Sequence, residues 1–195
     1  VALAFTHATK STVVEEFSTT LEESSARADF TGTISHDVYG EGSGYEDKVH
    51  VVYPASALTA QGAVAFTLPA EQKVLSDGSF ASGLNLSYAV VSLNDLRDDA
   101  KASATFHNAL SVLRFALEGN DVTSVTLTGT APLAGAAPMM YGSDGKLAIN
   151  AGGSWTKASQ TVTLKPAGGA ECFTKGLTAF AISFFAPFSS EMSSA

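Results

Sequence analysis

The chain has 195 residues, of which 45% are hydrophobic and 15% are charged. A chain of this length and hydrophobicity can bury a core of its own, which excludes wholesale disorder. The 19 acidic residues outnumber the 11 basic ones, the formal net charge is −8 and the basic residues form no run, so nucleic acid is not expected as a partner. Cys172 is the only cysteine, which excludes an internal disulfide, and no apolar run is long enough to predict a transmembrane segment.

Short runs of alternating apolar and polar residues, separated by turn residues, predict strands throughout the first half of the chain. The first set, Val13, Phe17 and Leu21, has a face that is only intermittently apolar, because Glu15 and Thr19 lie on it too. The other predicted inward-facing sets are Val49, Val51 and Tyr53; Val64, Phe66 and Leu68; and Leu84, Leu86, Tyr88 and Val90. His50 and Val52 alternate with the second set and are expected on the outward face. Pro54 and Pro69 are expected to end their strands, because proline lacks a backbone donor.

The middle of the chain permits two interpretations. Its apolar residues recur at helical spacing, but Leu113, Phe115 and Leu117 also alternate with Arg114, Ala116 and Glu118. We therefore predict a short helical turn over residues 106–111, then a hairpin of strands 112–118 and 122–128 around a Gly-Asn-Asp turn. A continuous helix through Glu118 is the alternative.

Further turn residues and alternation predict short strands at 146–150 and 159–164. The fold class indicated is all-β, a β-sandwich with at most one or two short helical turns. No change in composition marks a linker, so we predict one domain over residues 1–195. The alternative is a core sandwich over 1–165 followed by a C-terminal strand segment over 166–195.

The most apolar alternating segment is Thr178–Phe188, near the end of the chain. One face of this predicted strand consists of Phe180, Ile182, Phe184 and Phe188. One interpretation is a central core strand of the chain's own sandwich. The other is a strand that completes a neighbouring subunit by β-augmentation, since an exposed strand this apolar would otherwise aggregate.

No catalytic motif is present. The sequence contains no zinc-protease helix motif, no Cys-x-x-Cys, no phosphate-binding loop and no nucleophile elbow. The four histidines lie far apart and share no metal-ligand spacing, and adjacent carboxylates on a strand point to opposite faces. We therefore expect a protein that is not an enzyme and that uses neither a metal nor a cofactor.

Six segments, taken in order, resemble one protein family. They are Phe17–Arg27, Val52–Pro54, Phe66–Gln72, Ala104–Leu117, Val122–Leu127 and Pro132–Gly135. Their order and spacing are similar to the core signature of the fimbrillin-like proteins, the type V pilus subunits and related adhesins of Bacteroidales. One departure lies at Gly44–Val49, where many relatives carry a Trp and a Gly-Asp pair.

The resemblance implies a transthyretin-like β-sandwich on the bacterial cell surface or outer membrane, as part of a fimbrium. Its partners would be other pilus subunits or itself, with a host or bacterial surface ligand in addition. In type V pilins, proteolysis after an Arg near the N-terminus releases a first strand, and a strand of another subunit fills the groove. Arg27 and Ala28 are the matching processing candidate, because Arg27 is the only arginine before Arg97. Phe180, Ile182, Phe184 and Phe188 are the candidates for an exchanged strand.

A second hypothesis is a surface β-sandwich that binds carbohydrate. Such a module needs aromatic side chains exposed on one face or loop. Tyr45, Tyr141 and Trp155 lie near glycine-rich turns and are the candidates for ligand contact. Each could equally be a loop residue that packs against the core.

Overall fold

The computed structural model describes residues 1–20, 27–40, 42–81, 83–99, 101–119, 121–150, 152–184 and 189–194. The first strands in these residues are β1 (Ala2–Phe5), β2 (Val13–Glu16), β3 (Lys48–Tyr53), β4 (Ala65–Leu68), β5 (Glu71–Val74), β6 (Ser87–Ser92) and β7 (His107–Asn108). The later strands are β8 (Ser111–Leu117), β9 (Val122–Thr128), β10 (Ala134–Tyr141), β11 (Leu147–Ile149), β12 (Thr156–Ser159), β13 (Thr161–Pro166), β14 (Leu177–Ser183) and β15 (Ser189–Ser194). Helices α1 (His36–Tyr39) and α2 (Leu93–Asp99) and a 3-10 turn at Ala55–Ala57 complete the described elements. The predicted all-β, sandwich-type class is confirmed.

The chain divides into two compact units, each built from three separate stretches. Unit 1 comprises Val1–Ala65, Leu86–Asn108 and Met139–Ile149, and unit 2 comprises Phe66–Asn85, Ala109–Pro138 and Asn150–Ala195. Because the two units alternate along the chain, this division does not decide whether residues 1–195 form one domain, and that prediction stays a prediction. No boundary between the units falls near residue 165.

Unit 1 is organised around a five-stranded antiparallel sheet with the order β2-β1-β3-β6-β7. Its core cluster takes alternate residues from neighbouring strands, with Leu3 and Phe5 of β1 packed beside Val51 of β3 and Ala89 and Val91 of β6. All four residues of β1 are buried. β1 was not predicted, because its residues Ala2–Phe5 are all apolar and show no alternation of apolar and polar side chains.

Several face assignments in unit 1 are wrong. Val52 is fully buried although it was expected on the outward face, and Tyr53, expected inward, is 47% exposed at the end of β3. In β6, Val90 was expected inward, but it is 38% exposed and its neighbours Ala89 and Val91 face the core. Assigning faces from apolar–polar alternation assumes that one face of the strand is exposed to solvent. β3 departs from this assumption, because residues on both of its faces are buried.

Unit 2 places residues of two sheets around one core cluster. The first sheet has the order β15-β9-β13-β5, in which β5 is parallel to β13 and the other pairs are antiparallel. The second, among the described residues, pairs β14 with β8. Val125 and Leu127 of the first sheet meet Leu117, Ala179 and Ala181 of the second in this cluster. This arrangement is that of a sandwich.

The predicted bounds of β8 and β9 agree with the structure to within one residue, but the predicted hairpin between them is wrong. β8 pairs with β14, whereas β9 pairs with β13 and β15, so the chain crosses from one sheet to the other after Leu117. Both strands thereby bury their apolar faces in the same core cluster. The helical turn predicted at 106–111 and the alternative helix through Glu118 are also wrong, because β7 and β8 occupy these residues.

Candidate functional site

The β1–β2 hairpin of unit 1 is the structural context of the processing candidate. β1 pairs with β2 over four residues, from Ala2 opposite Glu16 to Phe5 opposite Val13. Its other edge pairs with β3, with Leu3 opposite Val51. In the turn of the hairpin, His7 Nδ1 accepts hydrogen bonds from the backbone N–H groups of Thr9 and Lys10, each at 3.0 Å. β1 therefore lies inside the sheet, paired with β3 on one edge and with β2 on the other.

The segment after β2 leads to Arg27 through a loop whose two ends are held together. Ser18 and Thr31 exchange two backbone hydrogen bonds, of 2.9 and 2.8 Å. Beside them Gly32 passes so close to Phe17 that an added Cβ would lie 2.6 Å from the Phe17 ring. Phe17 in turn packs against the unit 1 core. The loop base is thus fixed, while its residues 21–26 lie outside the described residues.

Arg27 is exposed and Ala28 is half-buried, and neither belongs to a helix or strand. The other two arginines lie in regular structure, Arg97 in α2 and Arg114 in β8. The Arg97 guanidinium also donates hydrogen bonds to the Tyr39 carbonyl (3.0 Å) and to Ser43 Oγ (2.7 Å). Proteases cut preferentially in exposed, irregular segments. Arg27 is therefore the arginine best placed for cleavage.

A cut after Arg27 would separate residues 1–27, which contain β1 and β2, from the rest of the chain. Loss of this piece would remove Leu3 and Phe5 from the unit 1 core cluster. It would also unpair the edge of β3 that now faces Ala2–Ala4, and expose Val49 and Val51. An extended segment could then replace both the backbone hydrogen bonds and the buried apolar surface.

The predicted exchange residues on β14 lie in a strand that its own chain holds along one full edge. β14 pairs with β8 over seven residues, from Leu177 opposite Leu117 to Ser183 opposite Ser111. Ile182 and Phe184 are buried and Phe180 is half-buried, whereas Phe188 lies outside the described residues. The interpretation of this segment as a strand of the chain's own sandwich agrees with this pairing.

The second edge of β14 is covered by groups that do not form a strand along it. The N–H of Phe180 donates to the Gly78 carbonyl at 3.2 Å, and the N–H of Phe184 donates to the Leu133 carbonyl at 3.0 Å. Between them, the side-chain amide of Gln72 makes two hydrogen bonds to the backbone of Ile182. Its Nε2 donates to the Ile182 carbonyl (2.6 Å), and its Oε1 accepts from the Ile182 N–H (3.0 Å). Gln72 is 1% exposed and so acts as a buried substitute for a pairing strand.

The three aromatic candidates for ligand contact do not form one surface. Tyr45 is half-buried against the unit 1 core and meets the ring of His7 edge-on, with 5.0 Å between centroids. Tyr141 is half-buried and belongs to the unit 1 part of β10. In unit 2, Trp155 is half-buried and meets the Phe184 ring edge-on at 5.1 Å. Their ring contacts support the alternative that each packs against its own unit.

Tyr141 stacks on His50, with ring centroids 3.7 Å apart and an angle of 19° between the planes. His50 is half-buried, so its expected exposure on the outward face is wrong. Burial, with a smaller contribution from the positive charge of Lys48, lowers the pKa of His50 to about 4. Burial also raises the pKa of Tyr141 well above its ordinary value. His50 Nδ1 and the Tyr141 hydroxyl have no hydrogen-bond partner within the described structure.

In the part of the chain that the structure describes, no three His, Cys, Asp or Glu residues are grouped so that they could hold a metal ion. The same part contains no helix with the length and apolar character needed to cross a membrane. Comparisons with protein-family models, curated proteins and solved structures found no match to this chain. The similarity to fimbrillin-like proteins therefore rests on the six segments quoted above.

Proposed function

We propose that this protein is a non-enzymatic component of the bacterial cell surface, a fimbrillin-like pilus subunit or adhesin that assembles by strand exchange after cleavage at Arg27. One observation carries the proposal. An exposed arginine in an irregular segment follows a hairpin whose inner strand, β1, is entirely buried. The resemblance of six sequence segments to the fimbrillin-like proteins, one of which ends at Arg27, supports the same assignment. In this proposal the protein acts outside the cell, with other subunits or further copies of itself as partners.

The acceptor in the proposed exchange is the edge of β3 that β1 occupies. β3 is already paired with β6 over six residues, so this edge belongs to a strand that remains in place when β1 leaves. We do not include Phe180, Ile182 and Phe184 in the proposal, because both edges of β14 are occupied within the chain. The incoming segment is an extended strand of another subunit that presents apolar residues at alternate positions.

The test uses an arginine-specific protease on the intact protein, followed by mild heating, an unboiled SDS gel and electron microscopy. We expect one cut, after Arg27, and then detergent-resistant oligomers as the 1–27 fragment dissociates. The matched control is Arg27→Lys, which keeps the positive charge but resists this protease while remaining a trypsin substrate. This variant should stay monomeric with the arginine-specific protease and assemble with trypsin.

Two outcomes would contradict the proposal. In one, mass spectrometry finds the protein intact at Arg27 while other arginines are cut. In the other, the 1–27 fragment is cut and lost, yet the remaining chain stays monomeric or only precipitates. Filaments or ladders formed by uncleaved Arg27→Lys protein would likewise show that assembly does not require the cut.

A further inference from the structure

A groove of about 340 Å³ lies on unit 1, away from β1 and β2. Its floor is formed by Tyr88 and Val90 of β6. One wall is the extended segment that leads into β7, and the other is the turn 144–146 between β10 and β11. We call this feature the β6 groove. Clefts of a few hundred Å³ are large enough to hold a small ligand.

In the extended segment that forms the first wall, some side chains pack on the core and others line the groove. Ala102 and Phe106 pack against the unit 1 core. Ser103, Thr105 and His107, at the intervening positions, are exposed and line the groove. The segment is tied to the floor because His107 stands opposite Tyr88 in the β6–β7 ladder, with 5.7 Å between the two rings. The wall therefore offers two hydroxyls and an imidazole along one side.

The second wall is held close to the sheet by its glycine and its hairpin. Gly145 has a φ of +81°, which favours glycine, and a Cβ there would lie 3.0 Å from Val90 Cγ2. The Lys48 ammonium donates a hydrogen bond of 2.9 Å to the carbonyl of Ser143. The Tyr141–His50 stack lies beside the turn of the β10–β11 hairpin, where Tyr141 pairs with Leu147. A wall fixed in this way loses little conformational entropy when a ligand binds.

The chemistry of the groove is that of uncharged polar recognition. Among the described residues, the side chains of Tyr88, Ser103, Thr105 and His107 make no hydrogen bond. On the opposite wall, Asp144 and Lys146 form an ion pair of 3.3 Å, so their charges cancel at the rim. Hydroxyls, an imidazole and a carboxylate can donate hydrogen bonds to the hydroxyls of a sugar and accept hydrogen bonds from them, and the exposed ring of His107 can contact its C–H face.

From this arrangement we propose that the β6 groove is a binding site for a neutral saccharide, one or two sugar units long. Its size admits such a ligand, and the paired charges favour a neutral one over a sialylated or sulfated one. The proposed site uses none of the aromatic residues that the sequence analysis selected. It does not depend on strand exchange, because no residue of β1 or β2 lines it.

The experiment titrates the intact, isotope-labelled protein with five neutral disaccharides, namely lactose, maltose, cellobiose, mannobiose and N,N′-diacetylchitobiose, and with sialyllactose as an anionic comparison. Two-dimensional NMR follows the backbone amides. We expect at least one neutral disaccharide to bind with a Kd of about 1 mM or tighter. The amide shifts should cluster at residues 103–107, Tyr88 and the turn 144–146.

Three variants then test the assignment of the site. Thr105→Ala and His107→Ala should each weaken binding about tenfold, equivalent to about 1.4 kcal/mol, without lowering the melting temperature, since both side chains are exposed. The matched control, Thr156→Ala, removes an exposed hydroxyl of β12 in unit 2 and should leave the affinity unchanged.

Each other outcome overturns the proposal. If none of the five neutral disaccharides shifts the groove amides, the groove is not a neutral saccharide site. The same conclusion follows if sialyllactose binds there and the neutral sugars do not. Shifts centred on Tyr45 or Trp155, or an affinity that both groove variants leave unchanged, would place sugar binding elsewhere on the protein. Arg27→Lys should bind sugar like the unaltered chain, which separates this test from that of strand exchange.

Discussion

β1 of unit 1, in which all four residues are buried, and β14 of unit 2, in which four of seven are buried, are held in different ways. β1 is four residues long and lies between β2 and β3, and the segment that follows β2 carries an exposed arginine. β14 is seven residues long, pairs with β8 along its whole length and has its other edge closed by backbone carbonyls and the Gln72 amide. Burial therefore does not by itself indicate which strand can be exchanged. A buried strand can be exchanged when it lies, together with the strand that pairs with its outer edge, on one short segment of chain that can dissociate as a unit.

The largest expected effect in this comparison concerns Phe5, which is fully buried in β1. Phe5→Ala leaves a cavity in the unit 1 core and should lower the free energy of unfolding by about 3 to 5 kcal/mol. Chemical denaturation measures this loss. After cleavage at Arg27, the same substitution should also speed the release of the 1–27 fragment, because Phe5 is a principal contact of β1 with the core.

The control for this substitution is Leu75→Ala, which removes a side chain that is 40% exposed. It should change the free energy of unfolding by less than about 1 kcal/mol and leave fragment release unaltered. If Phe5→Ala left the release rate unchanged, the burial of β1 would not be what retains the cleaved hairpin, and the comparison between the two strands would lose its basis.

A smaller effect is expected at Gln72, whose amide closes the edge of β14. Gln72→Leu keeps a similar volume but leaves both the N–H and the carbonyl of Ile182 without a partner. Two buried, unpaired backbone groups should lower the free energy of unfolding by about 2 to 4 kcal/mol. Amide hydrogen exchange at Ile182 should accelerate in parallel, which locates the loss on the second edge of β14.

Gln160 provides the matched control, because its Nε2 also donates to a backbone carbonyl, that of Thr130, but on the exposed surface. Gln160→Leu should cost less than about 1 kcal/mol, since water can replace the lost hydrogen bond. Equal effects of the two substitutions would mean that the buried Gln72 amide does not stabilise the second edge of β14.

The smallest effect in the comparison is the response of unit 1 to acid. His50 stands opposite Ala4 in the β1–β3 ladder, and burial lowers its folded-state pKa to about 4 from an ordinary 6.5. The unfolded chain therefore takes up the proton first as the pH falls. The contribution of His50 to stability is complete above about pH 6.5 and declines between there and about pH 4, by about 2 kcal/mol when the full shift is reduced for the solvent screening of a half-buried ring.

Replacing the titrating ring isolates this contribution from that of the carboxylates. His50→Phe keeps a ring to stack on Tyr141 but cannot be protonated. The free energy of unfolding, measured at about pH 7.5 and about pH 4.5, should fall less in this variant than in the unaltered chain. If the two proteins lose the same amount of stability, the half-buried imidazole is already charged in the folded state at acid pH, and its pKa is not depressed.

Sequence reasoning placed many strands correctly because a strand's alternation is a local property. The bounds of β8, β9 and β13 were predicted to within about two residues, and the inward faces of β4 and β13 agree with the burial of Phe66, Leu68, Val162 and Leu164. Face assignments were wrong in β3 and β6, because local alternation cannot reveal which additional elements cover a strand's outer face. β1 was missed because its four residues are all apolar, so no alternation with polar residues marks it as a strand.

The sequence by itself therefore determined the all-β class, most strand positions and the place of Arg27 as the only arginine before Arg97, whereas the exposure of Arg27 was established by the structure. Only the tertiary structure decided which strands pair, because partners in a sheet are distant in the chain and hairpins are not the only way to join neighbouring strands. The contact between Gln72 and Ile182 spans 110 residues. The β6 groove was likewise not predictable from the sequence, since its floor and first wall come from the stretch Leu86–Asn108 and its second wall from Met139–Ile149, which meet only when unit 1 folds.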